Sequence, residues 1–272
     1  MSKYENCFFP NVSALKQEIL NGGLGRLPSQ LSATGASFIC QTTQLAPSTV
    51  RYLNYYLIIR LEGYFGACVH MPDQLNLNVV SEIAGNSIEH AIEDKRLPVQ
   101  IAAMDAYLGT IRPHEKYCTE AVTLPKGTAI ERAEGRDALI SRIANIKANQ
   151  KVALIGVVNP LIKAINDAGG VCLPCDLQLK TTQWGDPIEH DMETVLDQAD
   201  NVICTAMTLG NGTFDRVIER VRERKIPLTI YAQTGSAIAA QFVGNGVTNL
   251  VAETFPFSQF SPYDTTVYCY RS

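Results

Sequence analysis

Residues 205–215 read Thr-Ala-Met-Thr-Leu-Gly-Asn-Gly-Thr-Phe-Asp, between an apolar run (Asn201 to Cys204) and a helical pattern (Phe214, Val217, Ile218, Val221). A small polar turn between a buried strand and a helix lies at the carboxyl edge of an open α/β sheet, where ligands bind. The first N–H groups of a helix are unpaired and carry partial positive charge. The hydroxyls of Thr208 and Thr213, the amide of Asn211 and the backbone at Gly212 would add directional hydrogen bonds to an anionic group. The same residues also suffice for an ordinary helix cap, with Asn211 or Thr213 as N-cap. Gln233-Thr234-Gly235-Ser236 repeats the arrangement after a later apolar run. Two such turns on one edge could converge on a carboxylate or phosphate, with Thr234, Gly235 and Ser236 as the second set of ligand contacts.

A third turn, Gly156-Val157-Val158-Asn159, follows the first strand of the alternating region. It lacks the G-x-G-x-x-G spacing that lets a pyrophosphate approach the backbone. Asp176 lies where an acid would hold a ribose hydroxyl in a Rossmann-like fold. Gly156, Asn159 and Asp176 therefore keep an adenosine cofactor as an alternative, with S-adenosylmethionine favoured over NAD because it has no pyrophosphate. Cys172-Leu173-Pro174-Cys175 has the spacing of half a zinc knuckle, but no second half appears. His114, Glu115 and Cys118 cluster within a few residues and could ligate a divalent metal ion. Glu89 and His90 are candidates for acid–base catalysis if they face the cleft, although neighbouring helical residues point about 100° apart. Phe255-Pro256-Phe257 with Phe260 could close over a planar ligand, or form a structural lid or dimer contact.

The elements that must carry these residues fall into two patterns. Val12 to Leu20 reads as a short helix. Ala36 to Gln41, Arg51 to Leu61 and Tyr64 to His70 read as strands, with Glu62-Gly63 as a tight hairpin turn. Leu75 to Ile83, Ser87 to Ile92 and Val99 to Ile111 read as helices, Pro98 marking a helix start. Residues 112–132 read as a connection with room for short strands, and Arg136 to Ala148 as an amphipathic helix. From residue 151 strands and helices alternate: strands at Val152 to Val157, Val171 to Cys175, Val202 to Ala206, Leu228 to Ala232 and Leu250 to Ala252, helices near 191–198, 213–225 and 236–242. That alternation predicts βαβ units and a parallel sheet. Thr266 to Tyr270 is expected as an edge strand.

Composition narrows the function classes. The 272 residues carry 46% apolar side chains and a formal net charge of −4, giving a pI near 5.6. There is no basic footprint for nucleic acid or an anionic membrane, and no apolar run approaches the roughly 20 residues of a membrane span. Met1 to Cys7 has no apolar signal core. The expected location is the cytoplasm, the expected partner a small-molecule ligand, and the assembly a homodimer. The eight cysteines read as small reduced hydrophobes.

Three stretches carry a family resemblance: Asp200 to Asp215 with its Thr-x-x-x-Asn-Gly-Thr core; Ala84-Gly85-Asn86-Ser87 with Ile101-Ala102-Ala103-Met104-Asp105-Ala106; and Val152 to Pro160. They resemble the putative heavy-metal chelation domain family, whose activity is uncharacterised. Asp105 stands where that family has Asn, which puts a polar role there in doubt. The resemblance implies an enolase-N-terminal-like α+β domain (1–112), a connection (113–132) and a Rossmann-like α/β domain (133–272). It adds metal binding to the expectations. The resulting reading is an enzyme or binding protein with an interdomain site for an anionic, metal-chelating ligand. A non-enzymatic metal carrier is a further alternative.

Overall fold

The computed structural model describes residues 8–44 and 51–272; the N-terminal stretch read above for a signal core lies outside them. Helix α1 (Val12–Leu20) is capped by the Asn11 side chain. Strands β1 (Ala33–Gln44), β2 (Arg51–Leu61) and β3 (Tyr64–His70) form an antiparallel sheet in the order β1-β2-β3. Glu62, at φ +50°, makes the hairpin turn between β2 and β3. Strand β3 pairs with β2 only as far as Tyr55↔His70, whereas β1 and β2 continue pairing to Gln44↔Arg51. A two-stranded ribbon therefore projects beyond the sheet.

Helices α2 (Val79–Ile83), α3 (Ile88–Ile92) and α4 (Leu97–Ile111) follow. The predicted start of α2 at Leu75 is too early: Asn76 accepts the Asn78 N–H and forms a turn there. Helix α4 is buried nearly all round, because β3 covers one side and later helices cover another. Its closest approach to β3 is at Gly66, where a Cβ would lie 2.1 Å from the Ala106 nitrogen and 2.2 Å from the Ala102 oxygen. Only a glycine admits that contact.

The stretch read as a connection with room for short strands contains one such strand and a short helix. It holds α5 (His114–Tyr117) and β4 (Glu120–Leu124). Helix α6 (Ala129–Ala144) starts ahead of the predicted Arg136, at a Thr128–Glu131 capping box, and stops at left-handed Asn145 instead of Ala148. Then come β5 (Lys151–Ile155), α7 (Asn159–Asp167), β6 (Val171–Cys175), α8 (Met192–Gln198) and β7 (Asn201–Thr205). The chain continues with α9 (Met207–Asn211), α10 (Phe214–Arg224), β8 (Leu228–Ala232), α11 (Ser236–Ala240), β9 (Asn249–Glu253) and β10 (Thr265–Arg271).

These strands form one seven-stranded sheet, β4-β10-β9-β8-β7-β5-β6. Strands β5 to β9 run parallel, and β10 lies antiparallel between β9 and β4. The fold is thus mixed α/β, a largely parallel sheet joined to an antiparallel one. The winding reverses between β5 and β7, so the carboxyl ends of those strands flank the crevice where α/β sheets take ligands. Among the described residues no helix is long and apolar enough to cross a membrane.

Candidate functional site at the carboxyl edge

The two turns that opened the sequence reading are used to dock the antiparallel sheet. Residues 207–211 form the short helix α9 instead of an open loop. Thr208 is buried, and its hydroxyl donates to the Thr205 carbonyl at 2.7 Å. The Asn211 side chain accepts from the Thr213 N–H and hydroxyl at 3.0 and 2.7 Å, while Gly212 (φ +79°) ends the helix in the left-handed region. Thr213 occupies the N-cap position of α10 with no side-chain cap bond. A Cβ on Gly210 would lie 2.7 Å from the Val69 carbonyl oxygen, so α9 sits directly on β3. At the second turn the Gly235 N–H donates to the Ala67 carbonyl at 3.0 Å, and a Cβ there would lie 2.5 Å from Leu209. Thr234 and Ser236 are buried. The turns are neighbours, as the spacing predicted; the Thr208 and Ser236 hydroxyls face protein partners, whereas Asn211 and Gly212 stay exposed and Asn211 bonds within its own turn.

Asp105, on α4, anchors this docking. Its carboxylate is buried and accepts the Ala67 N–H at 2.9 Å and the Ala237 N–H at 2.8 Å, tying β3 to the first turn of α11. The doubt about a polar role at this position is corrected: the carboxylate bridges two backbone segments. Burial pushes it up to about 7, against the backbone N–H groups that lower it. His114 plays a matching part. Its Nδ1 lies 2.6 Å from the Tyr270 hydroxyl and its Nε2 3.1 Å from Ser236 Oγ, and burial pushes the imidazole down to about 3. Both ring nitrogens are occupied, so the predicted metal role would require breaking this network.

The other side of the edge is built differently. After β5, Gly156 adopts φ +85°, and a Cβ there would lie 2.4 Å from Thr205 Cγ2. The Gly156 carbonyl accepts the Tyr231 hydroxyl at 2.7 Å. Above it, even-numbered residues of β2 share one face: the Tyr52 hydroxyl accepts from Asn159 Nδ2 at 3.0 Å, and Tyr56 meets Gln259 at 3.4 Å. Asp176 accepts the Val157 N–H on one oxygen and the Gln178 and Leu179 N–H groups on the other. The Gly156 N–H goes to the Cys175 carbonyl and the Asn159 N–H to Tyr52. The N–H groups of Gly156, Val157 and Asn159 and the carboxylate of Asp176 are therefore committed within the protein. This does not favour a phosphate or ribose there.

Between these pieces lies a charged cluster that the sequence reading did not select. Arg136 Nε donates to Asp137 Oδ1 at 3.0 Å, and the other guanidinium nitrogens make no hydrogen bond among the described residues. The Asp137 residue is 1% exposed, and its Oδ2 has no partner among the described residues. Burial raises the Asp137 carboxyl, the adjacent guanidinium opposes that, and the negative charge of Glu253 adds to it. Glu253, at the carboxyl end of β9, accepts from Gln233 Nε2 at 2.7 Å and from the Ser258 N–H. Gln233 and Gln259 exchange amide bonds, while Phe255, Phe257 and Phe260 pack with Tyr56 as an aromatic cluster on the face of the three-stranded sheet. The aromatic loop thus holds the antiparallel sheet in place. One signal for Asp137 was present in the sequence: Ala133, Asp137, Ile140 and Ala144 form one helical stripe, and a carboxylate interrupts it.

The remaining candidates lie elsewhere. Glu89 and His90 sit on α3, which packs on α4, with His90 exposed in a surface hollow beside Glu93 to Arg96. Cys172 packs against the α6–α7 side of the large sheet and Cys175 against the opposite side. Burial pushes both thiols up to about 12. Among the described residues no group of three or more His, Cys, Asp or Glu side chains is placed to hold a metal ion.

Residues 138–231 match the family model described as "Putative heavy-metal chelation" (DUF364). Two solved structures, each described as a protein of unknown function from that family, are similar over nearly the whole chain. The one from Desulfitobacterium hafniense is 14% identical, covers 98% of this chain and 100% of its own, and has a TM-score of 0.62. The one from Pyrococcus horikoshii is 14% identical, covers 95% and 98%, and has a TM-score of 0.56. At such identity the likeness shows the fold. No protein of curated function matches.

Proposed function

We propose that this chain, which carries the DUF364 domain over residues 138–231, binds a small anionic chelator together with its divalent cation at the carboxyl edge of the large sheet. In this reading residues 1–112 form an enolase-N-terminal-like domain and 133–272 a Rossmann-like one, and the protein works in the cytoplasm. The observation that carries the reading is the Arg136–Asp137 pair: a buried carboxylate with one unpartnered oxygen next to a guanidinium with unused donors. A buried acceptor without a partner costs free energy that a ligand can recover. Asp137 Oδ2 would face the cation and the guanidinium the chelator's carboxylates, which Arg binds in a two-point fork. Glu253 keeps the local field negative, and Tyr52 and Asn159 line the ribbon side. With few protein donors in reach, most of the cation's ligands would come from the chelator, consistent with the lack of a three-residue metal cluster among the described residues. The test is native mass spectrometry with elemental analysis of gently purified protein. Wild type should retain a small anion and a divalent metal, and Asp137→Asn should lose the metal. Equal metal in both would refute the assignment.

A further inference from the structure

The opposite face of the three-stranded sheet holds a groove separate from this edge. Cys40 pairs with Tyr55 across one ladder and Tyr55 with His70 across the next, so these side chains share a face. Further along that face Leu57 and Cys68 are fully covered. At this end the groove is walled by residues 72–77 and has a volume of about 320 Å³, within the range of small-molecule sites. Among the described residues its lining contains no Lys, Arg, Asp or Glu. Leu77 is 79% exposed at its rim.

His70 lines this groove and is 6% exposed. The Phe38 ring lies 5.3 Å and the Tyr55 ring 6.1 Å from its imidazole. Nδ1 is 2.8 Å from the Met71 carbonyl oxygen. A carbonyl only accepts, so Nδ1 carries the proton and, in the neutral ring, Nε2 is a bare acceptor. That Nε2 is buried without a partner among the described residues, a condition native structures rarely leave unanswered. An uncharged, ring-lined groove with one unsatisfied acceptor selects for an aromatic body and a neutral donor.

We propose that this groove binds a small hydroxyl-bearing aromatic molecule. Its ring lies against Phe38, Tyr55 and Leu75, and its hydroxyl donates to His70 Nε2. The probes are 4-fluorophenol and 4-fluorotoluene, which match in shape but differ in the donor, followed by fluorine NMR titration of the full chain. 4-Fluorophenol should bind about tenfold more tightly than 4-fluorotoluene, the effect of one net hydrogen bond. In His70→Phe the two affinities should become equal. Leu77→Asp, at an exposed position, should weaken both probes and serves if the His70 variant misfolds. Asp137→Asn should change neither, which separates this groove from the carboxyl-edge site. Equal binding of the two probes to wild type, no binding of either at millimolar concentration, or unchanged 4-fluorophenol affinity in both groove variants would overturn the proposal.

Discussion

Two buried groups beside the docking turns titrate with opposite consequences. His114 is depressed to about 3 against an ordinary value near 6.5. Between those values the unfolded chain binds the extra proton, so His114 makes stability fall as pH drops through that window and adds nothing further below it. Asp105 is raised to about 7. Its ionisation opposes folding, so its contribution is intact below the ordinary carboxylate range and is lost as pH rises toward 7. The two therefore partly cancel between pH 5 and 7 in the wild type. Comparing wild type with His114→Phe isolates one of them. Relative to wild type, the variant should gain about 2 kcal/mol in urea-unfolding free energy on going from pH 7 to pH 5; parallel profiles would mean His114 is not held neutral. Asp137 is raised by burial and has an unpartnered oxygen, so its ionisation also opposes folding above the carboxylate range. Asp137→Asn should consequently fold at least as stably as wild type at pH 8 while losing ligand, as expected where function rather than stability holds a residue in place. A large drop in its unfolding midpoint would assign Asp137 a structural role.

At the level of elements, close backbone contacts decide how the two sheets meet. Gly66 on β3 lets α4 approach to contact, and Gly66→Ala should cost about 1–3 kcal/mol in unfolding free energy by overpacking. A silent substitution would show that β3 and α4 pack more loosely. The turn after β5 is closed by its own partners. Titration calorimetry with NAD(H) should accordingly show no micromolar binding, whereas micromolar binding abolished by Asp176→Ala would restore the ribose reading. Most elements were legible, because apolar periodicity and turn residues report local structure directly. The strand–helix alternation after residue 151 and the Glu62-Gly63 hairpin appear in the structure, and strands β2, β3, β6 and β8 end where the pattern placed them. Helix α9 was hidden because its five residues carry Gly210 and too little periodicity, and the bounds of β4, though not the room for a short strand there, because its partner β10 lies far along the chain. The site was less legible. Thr208 and Ser236 are the right types at a strand end, but only tertiary contacts show that β3 and α4 cover them. Arg136, Asp137 and Glu253 come together from separate elements, and only Asp137 left a trace, as a charge on an apolar stripe.

Across the whole molecule, the antiparallel sheet covers one half of the carboxyl edge and leaves the other under a polar ribbon. The β7 and β8 turns dock β3 and α4, while the β5, β6 and β9 ends meet Tyr52 and Tyr56 beside Arg136 and Asp137. The central claim is that this second half is the ligand site. The most direct measurement is equilibrium dialysis against Co²⁺ with and without citrate, for wild type, Arg136→Gln, Asp137→Asn and Asn211→Ala. Citrate should promote one-to-one Co²⁺ uptake in wild type and in Asn211→Ala. Asp137→Asn should lose the uptake, and Arg136→Gln should lose its dependence on citrate. Uptake that survives both edge substitutions, or that disappears only in Asn211→Ala, would contradict the account and return the site to the turns.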